Sequence, residues 1–317
     1  MSDVLDALGT FLDHLRAVDW TFAGLAVACH AAKVLARTRA WRNILAAAYP
    51  DRNVRWRSVF GAYAAGAGVN AVIPARGGDL LRLFILKRRI PDATYPTLGA
   101  TLLVDSIVDV ILSTSLVIWA LAAGILPGVN VLHNLPSIDW FWLFEHPKLA
   151  IGVIAGLLVA SFVAGVWAAR RIEEFRRRVA QGFSILQTPA RYLRRVAAFE
   201  VLDWAFRMAT ICFFLHAFHV PATLGNVLRV QMTQSLATVV PLTPAGVGTE
   251  QALIVYVLRG QATKTALLSL SVGMKSFIVA FNVTIGVLAL FVMLRTLHWR
   301  RLVEGEAAAR GSARPPA

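Results

Sequence analysis

Two segments rich in proline and glycine interrupt otherwise apolar stretches of this chain. The first runs from Asn70 to Arg82 and the second from Pro241 to Glu250, and in each an acidic residue follows the glycines. At membrane depth, backbone polar groups stay bonded in helices, so a broken helix is tolerated only where protein or a water-filled cavity surrounds it. Two such breaks in one chain predict a shared polar site at its centre.

The composition places these breaks in a membrane protein. Of the 317 residues, 57% are hydrophobic and 16% are charged, and the mean hydropathy is +0.61, whereas soluble domains carry about 25% charged residues. The net charge is +14, but the arginines lie in runs beside the apolar stretches without aromatic residues between them, which fits anionic lipid better than nucleic acid. Cys29 and Cys212 fall in apolar stretches, so neither a disulfide nor a cysteine metal site is expected.

Runs of about 20 apolar residues predict five membrane spans. They lie near 20–36, 97–126, 149–169, 197–219 and 265–294. The first is short and polar, and a tilted or interfacial helix is the alternative there. The broken segments, near 58–86 and 226–258, are predicted to enter and leave the membrane on one side as re-entrant hairpins. The fold class is therefore an all-α polytopic membrane protein, with one membrane domain over 1–303 and a disordered tail over 304–317.

Basic residues set the predicted orientation, because cytoplasmic loops are enriched in arginine and lysine. Arginine clusters flank the first broken segment at 37–57 and 82–89, and a denser cluster fills 170–195. The N-terminus is therefore expected outside and the C-terminus in the cytoplasm. Apolar residues recur every three or four positions in 170–195, which predicts an amphipathic helix on the inner membrane surface, with a solvated connector helix as the alternative.

The order span, hairpin, span occurs twice along the chain. Residues 20–126 form the first copy and 197–294 the second, and the predicted orientation has them enter the membrane from opposite faces. Such inverted repeats place a substrate site near the bilayer midplane, where their broken helices meet. We therefore predict an inverted repeat whose halves are joined by the span 149–169 and the basic helix 170–195.

Two arginines and an aspartate of the first hairpin are candidate substrate ligands. Arg76, Asp79 and Arg82 are three residues apart, and a helix beginning after Gly77 would place Asp79 and Arg82 on one face. The arginines could clamp a phosphate, with the backbone of Gly77 and Gly78 free to approach it. Alternatively, Arg82 anchors the helix at the cytoplasmic surface and Asp79 caps it.

Glu250 is the corresponding candidate in the second hairpin. Gly246 and Gly248 permit a tight backbone path before it, and the positive end of the following helix favours a carboxylate there. Glu250 either caps that helix or binds a coupling proton or ion, paired with Arg76 or Lys275. A partner is expected because a charged group at membrane depth costs about 2.5–3.5 kcal/mol.

Two further pairs of charged residues lie one helical turn apart. They are Asp105 with Asp109, and Asp203 with Arg207. The paired acids could bind a metal or relay protons, but no histidine or cysteine cluster accompanies them. Ion pairs with the hairpin arginines are the favoured interpretation, while the second pair can neutralise itself. No metal or other cofactor is predicted.

The two broken segments also resemble the signatures of a known family. The pattern Asn-x-x-x-Pro-x-Arg-x-Gly-Asp-x-x-Arg covers 70–82, and Pro-x-Thr-Pro-x-Gly-x-Gly-x-Glu covers 241–250. Both are similar to the flippase-like family related to the membrane domain of lysylphosphatidylglycerol synthase. Asp105 and Asp109 stand where that family often has Glu-Arg-x-x-Asp, and Lys275 stands where a basic residue is usual.

Three features of the chain depart from the family pattern. Ser106 replaces the arginine, Ala245 replaces a common glycine, and a hydrophobic span that often begins family members is missing. The resemblance implies movement of a lipid or lipid-linked headgroup across a bilayer. It places Asn70 and Thr243 of the two signatures among the substrate-binding residues.

We therefore predict a flippase-like transporter of the bacterial cytoplasmic membrane that moves an anionic lipid or a polyprenyl-phosphate-linked headgroup, with neither enzymatic activity nor a cofactor. Arg76 and Lys275 would contact the phosphate, while Asp79 and Glu250 would shape or gate the site. The alternatives are a membrane-embedded transferase that uses the paired acids and a structural partner of a separate synthase. Small residues near Gly61 could pack a homodimer or pack within one chain.

Overall fold

The computed structural model describes residues 17–72, 77–122, 173–239 and 248–297, and each of these ranges is built from helices. No β-strand occurs within them. The all-α class predicted from the sequence is therefore confirmed for the described part of the chain.

Several sequence predictions fall outside the described residues. Among the candidate ligands these are Arg76, Thr243 and Gly246. The predicted span at 149–169 and the tail at 304–317 lie outside them as well.

Four helices make up the first half of the fold. They are α1 (Trp20–Ala48), α2 (Trp56–Val72), α3 (Gly77–Arg89) and α4 (Tyr95–Ala122). α1 and α4 are 29 and 28 residues long, which exceeds the roughly 20 residues that cross a hydrocarbon core. α2 and α3 have 17 and 13 residues and reach only about 25 and 20 Å. The first half thus alternates one long helix, two short ones and one long helix.

α1 is longer than the predicted span of 20–36. Its first turn is capped by Asp19, whose Oδ1 accepts hydrogen bonds from the backbone N–H of Thr21 at 2.9 Å and of Phe22 at 3.4 Å. The helix then continues past the basic residues to Ala48, shortly before Pro50. The predicted apolar span of 20–36 therefore covers only the first part of a longer helix, because hydropathy falls at Arg37 whereas nothing there breaks a helix.

The segment that joins the two halves contains short helical pieces. It consists of α5 (Glu173–Gly182), a 3-10 turn (Ser184–Gln187), α6 (Pro189–Tyr192) and a π-helical segment (Leu193–Ala197). The sequence predicted one continuous amphipathic helix here. The chain instead turns after Gly182, where an added Cβ would lie 2.4 Å from the Cβ of Ala100 on α4. Pro189 then begins a new helix, the position that proline favours.

The second half repeats the pattern of helix lengths. It contains α7 (Ala198–Ala217), α8 (Leu224–Val239), α9 (Thr249–Val257) and α10 (Lys264–Leu297). α10 has 34 residues and α7 has 20, while α8 has 16 and α9 has 9. Two short helices again lie between two longer ones.

The halves pack against each other mainly through α1 and α7, and α10 runs along α2. Gly61 and Gly68 of α2 face α10, since a Cβ at Gly68 would lie 2.8 Å from the Cα of Gly286 and one at Gly61 would meet Met293. These small residues therefore pack within the chain.

Two described helices are long and apolar enough to cross a membrane by length and composition. They are α4 over Tyr95–Ala120 and α10 over Lys264–Met293. α1, α4 and α7 carry charged side chains that are buried in the protein, among them Arg37 on α1, Asp105 on α4, and Glu200 and Asp203 on α7. Those charges form the centre of the molecule.

Candidate functional site

Arg37 on α1 lies among four carboxylates. Its Nε is 3.1 Å from Oδ2 of Asp105, and its Nη1 is 3.2 Å from Oε2 of Glu200. Nη1 is also 3.8 Å from Oδ2 of Asp203 and 3.9 Å from Oδ1 of Asp109. The guanidinium thus connects α1 to α4, which supplies Asp105 and Asp109, and to α7, which supplies the other two acids.

Arg207 completes this group, which we call the buried charge cluster. Its Nη2 is 3.1 Å from Oδ1 of Asp109 and 3.1 Å from Oδ2 of Asp203. Trp204 donates its indole N–H to the same Asp109 oxygen at 3.1 Å. Glu200, Asp203 and Arg207 are spaced by three and four residues, so one face of α7 presents all three. The members of the cluster are Arg37, Asp105, Asp109, Glu200, Asp203 and Arg207.

The partners of the paired acids differ from the sequence interpretation. Asp105 and Asp109 contact Arg37 and Arg207, which come from the long helices α1 and α7. Arg82 of the first hairpin pairs with Asp79 on its own helix instead. The favoured hypothesis, that the paired acids form ion pairs with the hairpin arginines, is therefore wrong for Arg82.

Two members of the cluster were missed by the sequence analysis. Arg37 was counted among the cytoplasmic basic residues, and Glu200 was not singled out. The sequence does contain a pattern that could have identified them. Glu200, Asp203 and Arg207 are spaced to share one face of an apolar helix, and Lys33 and Arg37 lie one turn apart on another apolar helix. Charged side chains on apolar helices require partners of opposite charge. The acids of α7 and the basic residues of α1 were therefore candidates to pair with each other.

The first hairpin is held together by Asn70. Its Nδ2 donates to Oδ1 of Asp79 at 2.9 Å, and its Oδ1 accepts from the backbone N–H of Gly78 at 2.8 Å. Arg82 approaches the same Asp79 oxygen at 3.3 Å. An added Cβ on Gly78 would lie 1.9 Å from the carbonyl oxygen of Gly66, so only glycine permits α2 and α3 to approach this closely.

Arg82 is enclosed by aromatic rings and is not a freely exposed surface anchor. Its guanidinium carbon lies 5.2 Å from the ring centre of Trp41 and 5.7 Å from that of Tyr63, distances at which cation–π attraction acts. A cavity of about 240 Å³ lies beside it, with Asn70 and Asp79 in its wall. The candidate residues Asn70, Asp79 and Arg82 are thus gathered at one place.

The second hairpin points its acid toward a different helix. Glu250 lies in the first turn of α9, and its Oε2 is 2.7 Å from Nζ of Lys275 on α10. Gly248 precedes the helix with φ +89°, a conformation that favours glycine. The N–H of Gly248 donates to the side chain of Gln251 at 2.7 Å, so Gln251 rather than Glu250 satisfies it.

A cavity of about 810 Å³ lies between α1, α4, α7, α8, α9 and α10. Three cations line it, namely Lys33, Arg207 and Lys275, together with the carboxylates of Asp109 and Glu250. Arg207 pairs with Asp109, and Lys275 pairs with Glu250. Within the described ranges, no carboxylate lies at ion-pairing distance from Lys33. Lys33 is therefore the lining cation whose charge is left for a ligand.

The wall of this cavity also reaches the outer surface of α4. Val110 and Ile118 line the cavity, and both are well exposed, at 59% and 60%. Ser113 and Thr114, between them in sequence, supply hydroxyl groups to the same wall. Among the described residues, no group of histidine, cysteine and acidic side chains has an arrangement suited to a metal ion. The site combines fixed charges with an adjoining apolar surface.

Comparison with known proteins identifies the family. The model of the lysylphosphatidylglycerol synthase TM region matches residues 6–286, a range that contains both broken segments, the buried charge cluster and Lys275. No curated protein and no solved structure matches the chain. The family model describes a transmembrane region, in agreement with the apolar helices α4 and α10. The chain belongs to the lysylphosphatidylglycerol synthase TM region family.

Proposed function

We propose that the protein is a flippase-like transporter that moves the phosphate headgroup of an anionic lipid, or of a polyprenyl-phosphate-linked lipid, through the cavity between its two halves. The observation that carries this proposal is the lining of that cavity, where Lys33, which pairs with no carboxylate of the described residues, lies beside two paired cations and next to an exposed apolar surface.

The charges of the cavity suit an anionic headgroup. Lys33 supplies an ammonium group that no carboxylate in the described part of the chain pairs with, and Lys275 supplies a second one held by Glu250 at 2.7 Å. Lysine binds phosphate as a point charge with three donors. A phosphate that reached Lys275 would compete with Glu250 for it, so binding would loosen the contact between α9 and α10.

The rim of the cavity suits the rest of a lipid. Val110 and Ile118 extend the polar wall onto the apolar outer surface of α4. A headgroup could occupy the polar interior while its hydrocarbon chains remain on that surface. This arrangement avoids the cost of several kcal/mol for taking a charged group through hydrocarbon without partners.

The helix order supports alternate opening of two related halves. Each half has a long helix, two short ones and a long helix. The contacts between the halves are related in the same way. The first helices of the two halves, α1 and α7, pack on each other. The second helix of each half packs on the last helix of the other half, α2 on α10 and α8 on α4. A pseudo-two-fold relation produces such a pattern, and inverted repeats move substrates by rocking one half against the other.

The short helices support the assignment of re-entrant hairpins. α2, α3, α8 and α9 have fewer residues than the roughly 20 needed to span a bilayer. We place the protein in the bacterial cytoplasmic membrane, with its basic connecting segment on the cytoplasmic side. Arg176, Arg177, Arg194 and Arg195 of that segment are exposed and available to anionic lipid.

Transbilayer movement in liposomes tests this function. The wild type, Lys33→Met and Lys275→Met would be reconstituted with labelled phosphatidylglycerol, a labelled polyprenyl phosphate or labelled phosphatidylcholine. Lys264→Met is the matched control, because Lys264 is an exposed lysine at the start of α10.

The expected result is movement of at least one phosphate-bearing anionic lipid by the wild type and the control, with slower movement by both cavity variants. Equal rates in protein-free and protein-containing liposomes for every lipid would overturn the proposal. Mass spectrometry of the recovered lipid is the second readout, since a covalently changed product would indicate a transferase.

A further inference from the structure

Two carboxyl groups of the buried charge cluster lie side by side. Asp105 and Glu200 both contact the guanidinium of Arg37, at 3.1 and 3.2 Å. Because both carboxyl groups contact the same guanidinium, they lie close to each other. Ionised carboxylates only accept hydrogen bonds, so a bond between these groups requires a proton on one of them.

Burial strengthens this requirement. Glu200 is 0% exposed and Asp105 is 3% exposed. Neither carboxylate oxygen of Glu200 receives a hydrogen bond, and Oδ1 of Asp105 receives none either. Arg37 is near Oε2 of Glu200 as an ion pair, without hydrogen-bond geometry. A buried carboxylate without donors carries a large desolvation cost, which one shared proton would relieve.

The charge balance around the pair points the same way. Four carboxylates lie within 3.9 Å of Arg37, whereas the cluster contains only two arginines. The other charged or titratable groups that surround the pair are Lys33 and Arg37 on α1, Tyr63 on α2, Asp109 on α4, Tyr192 before the π-helical segment, and Asp203 and Arg207 on α7. Like charges at such distances favour protonation of one acid.

Tyr192 does not donate a hydrogen bond to the pair. Burial raises the pKa of its phenol, and the neighbouring Glu200 and Asp105 charges raise it further. The phenol therefore stays neutral, and its hydroxyl has no hydrogen-bond partner among the described residues. The carboxyl groups themselves remain the site for the proton.

We propose that Asp105 and Glu200 form a proton-binding carboxyl pair and that loading and release of this proton change the cavity through Asp109 and Arg207. The proton comes from water and returns to it, and it converts one carboxylate into a carboxylic acid that donates to the other. No covalent bond other than this O–H forms or breaks. The pair then carries one negative charge when loaded and two when empty.

The path to the cavity is short. Asp109 lies one helical turn after Asp105, belongs to the cluster and lines the cavity, and Arg207 does the same from α7. When the pair has released its proton, its second negative charge attracts Arg37 more strongly. Asp109 then has Arg207 as its main positively charged partner. Glu200 lies in the first turn of α7, which begins where the π-helical segment Leu193–Ala197 ends, and this type of helix irregularity is frequent at functional sites. Coupling of the proton to lipid movement rests on the function proposed above.

Infrared difference spectroscopy of the purified protein tests the proton site without any transport. Spectra of the wild type and Glu200→Gln would be compared at neutral pH in H₂O and D₂O. We expect a carboxylic C=O band, shifted by deuteration, that disappears in Glu200→Gln and in Asp105→Asn. Glu173→Gln removes an exposed acid on α5 and should keep the band. Identical bands in the wild type and both folded cluster variants would overturn the proton site.

Liposomes with a transmembrane pH gradient and a clamped membrane potential test the coupling. The wild type should move anionic lipid several-fold faster with one gradient direction than with the other, whereas Glu200→Gln should show no such difference. Lipid movement by the wild type that ignores the gradient would overturn the coupling while leaving the flippase in place. A carboxylic band without any lipid movement would instead overturn the proposed function and retain the proton site.

Discussion

The two broken segments share a sequence pattern and use its acidic residue differently. In the first hairpin, Asp79 is held by Asn70 from α2 and by Arg82 from its own helix α3. In the second, Glu250 reaches Lys275 on α10 and forms part of the cavity wall. The same order of glycines and acid therefore produces a closely packed contact in one half and an ion pair that lines the cavity in the other.

The glycines show the same contrast. Gly78 lies against the backbone of Gly66, so the first hairpin has no space for a side chain there. Gly248 has nothing within 4 Å of an added Cβ, and its positive φ is what favours glycine. Substitutions in the first hairpin should therefore act mainly on stability, and substitutions in the second mainly on transport.

The largest effect is expected for Gly78→Ala. The new Cβ would overlap the carbonyl oxygen of Gly66, and the two backbones would have to separate. We expect a loss of about 3 kcal/mol or more in the free energy of unfolding, measured by chemical unfolding in detergent micelles. Gly99→Ala is the control, because its Cβ meets nothing within 4 Å and alanine favours the helix. Equal free energies of unfolding for the two variants would show that the first hairpin tolerates a side chain at Gly78. The proposed difference between the two hairpins would then be wrong.

Asn70→Ala should have the next largest effect. It removes one hydrogen bond to the carboxylate of Asp79 and one from the N–H of Gly78. Their combined loss should lower the free energy of unfolding by about 2 kcal/mol, in the same unfolding assay. Asn53→Ala, in an exposed loop, should change it by less than about 0.5 kcal/mol. An unchanged free energy of unfolding in Asn70→Ala would show that the two hydrogen bonds of Asn70 do not stabilise the hairpin.

Glu250→Gln should affect stability less and transport more than the matched change Asp79→Asn. The Lys275 side chain is partly exposed and therefore stays solvated when the ion pair is lost. The free energy of unfolding should fall by only about 1 kcal/mol. A double-mutant cycle with Lys275→Met should give a coupling energy of about 0.5–1 kcal/mol. Without Glu250, Lys275 should retain a bound phosphate longer and slow lipid movement. Faster or unchanged movement in Glu250→Gln would contradict the role of Glu250 as a competitor of the substrate.

Lys33→Met is expected to have the smallest effect on stability and still to weaken ligand binding. Since no described carboxylate pairs with Lys33, its removal should change the free energy of unfolding by less than about 0.5 kcal/mol. Binding of anionic lipid, measured by microscale thermophoresis with a short-chain phosphatidylglycerol, should weaken several-fold. Binding equal to that of Lys264→Met would assign the anion site elsewhere.

The sequence predicted three of the long helices in the described part at nearly the observed positions. The spans 97–126, 197–219 and 265–294 correspond to Tyr95–Ala122, Ala198–Ala217 and Lys264–Leu297. These helices were predictable because hydrophobic runs and helix breakers are local properties of the chain. The same local signals marked the acids that follow the glycines, namely Asp79 and Glu250.

The end of α1 was not predictable in this way. Arg37 was taken as a sign of the cytoplasmic surface, yet it is a buried arginine 12% exposed at its side chain. Its burial is tolerable because Asp105, Glu200 and Asp203 surround it. Those acids lie far from it along the chain, and sequence periodicity describes only neighbours on one helix.

By itself, then, the sequence determined the family, the helical class, the positions of the long helices and the residue types available for a phosphate site. The tertiary structure decided which charges meet: Asp105 and Asp109 with Arg37 and Arg207, and Glu250 with Lys275. It also decided that Lys33 lines the cavity without an ion-pair partner among the described carboxylates. The physical reason is that a buried charge is stabilised by whatever opposite charge packing brings near it, and packing joins different helices of the chain.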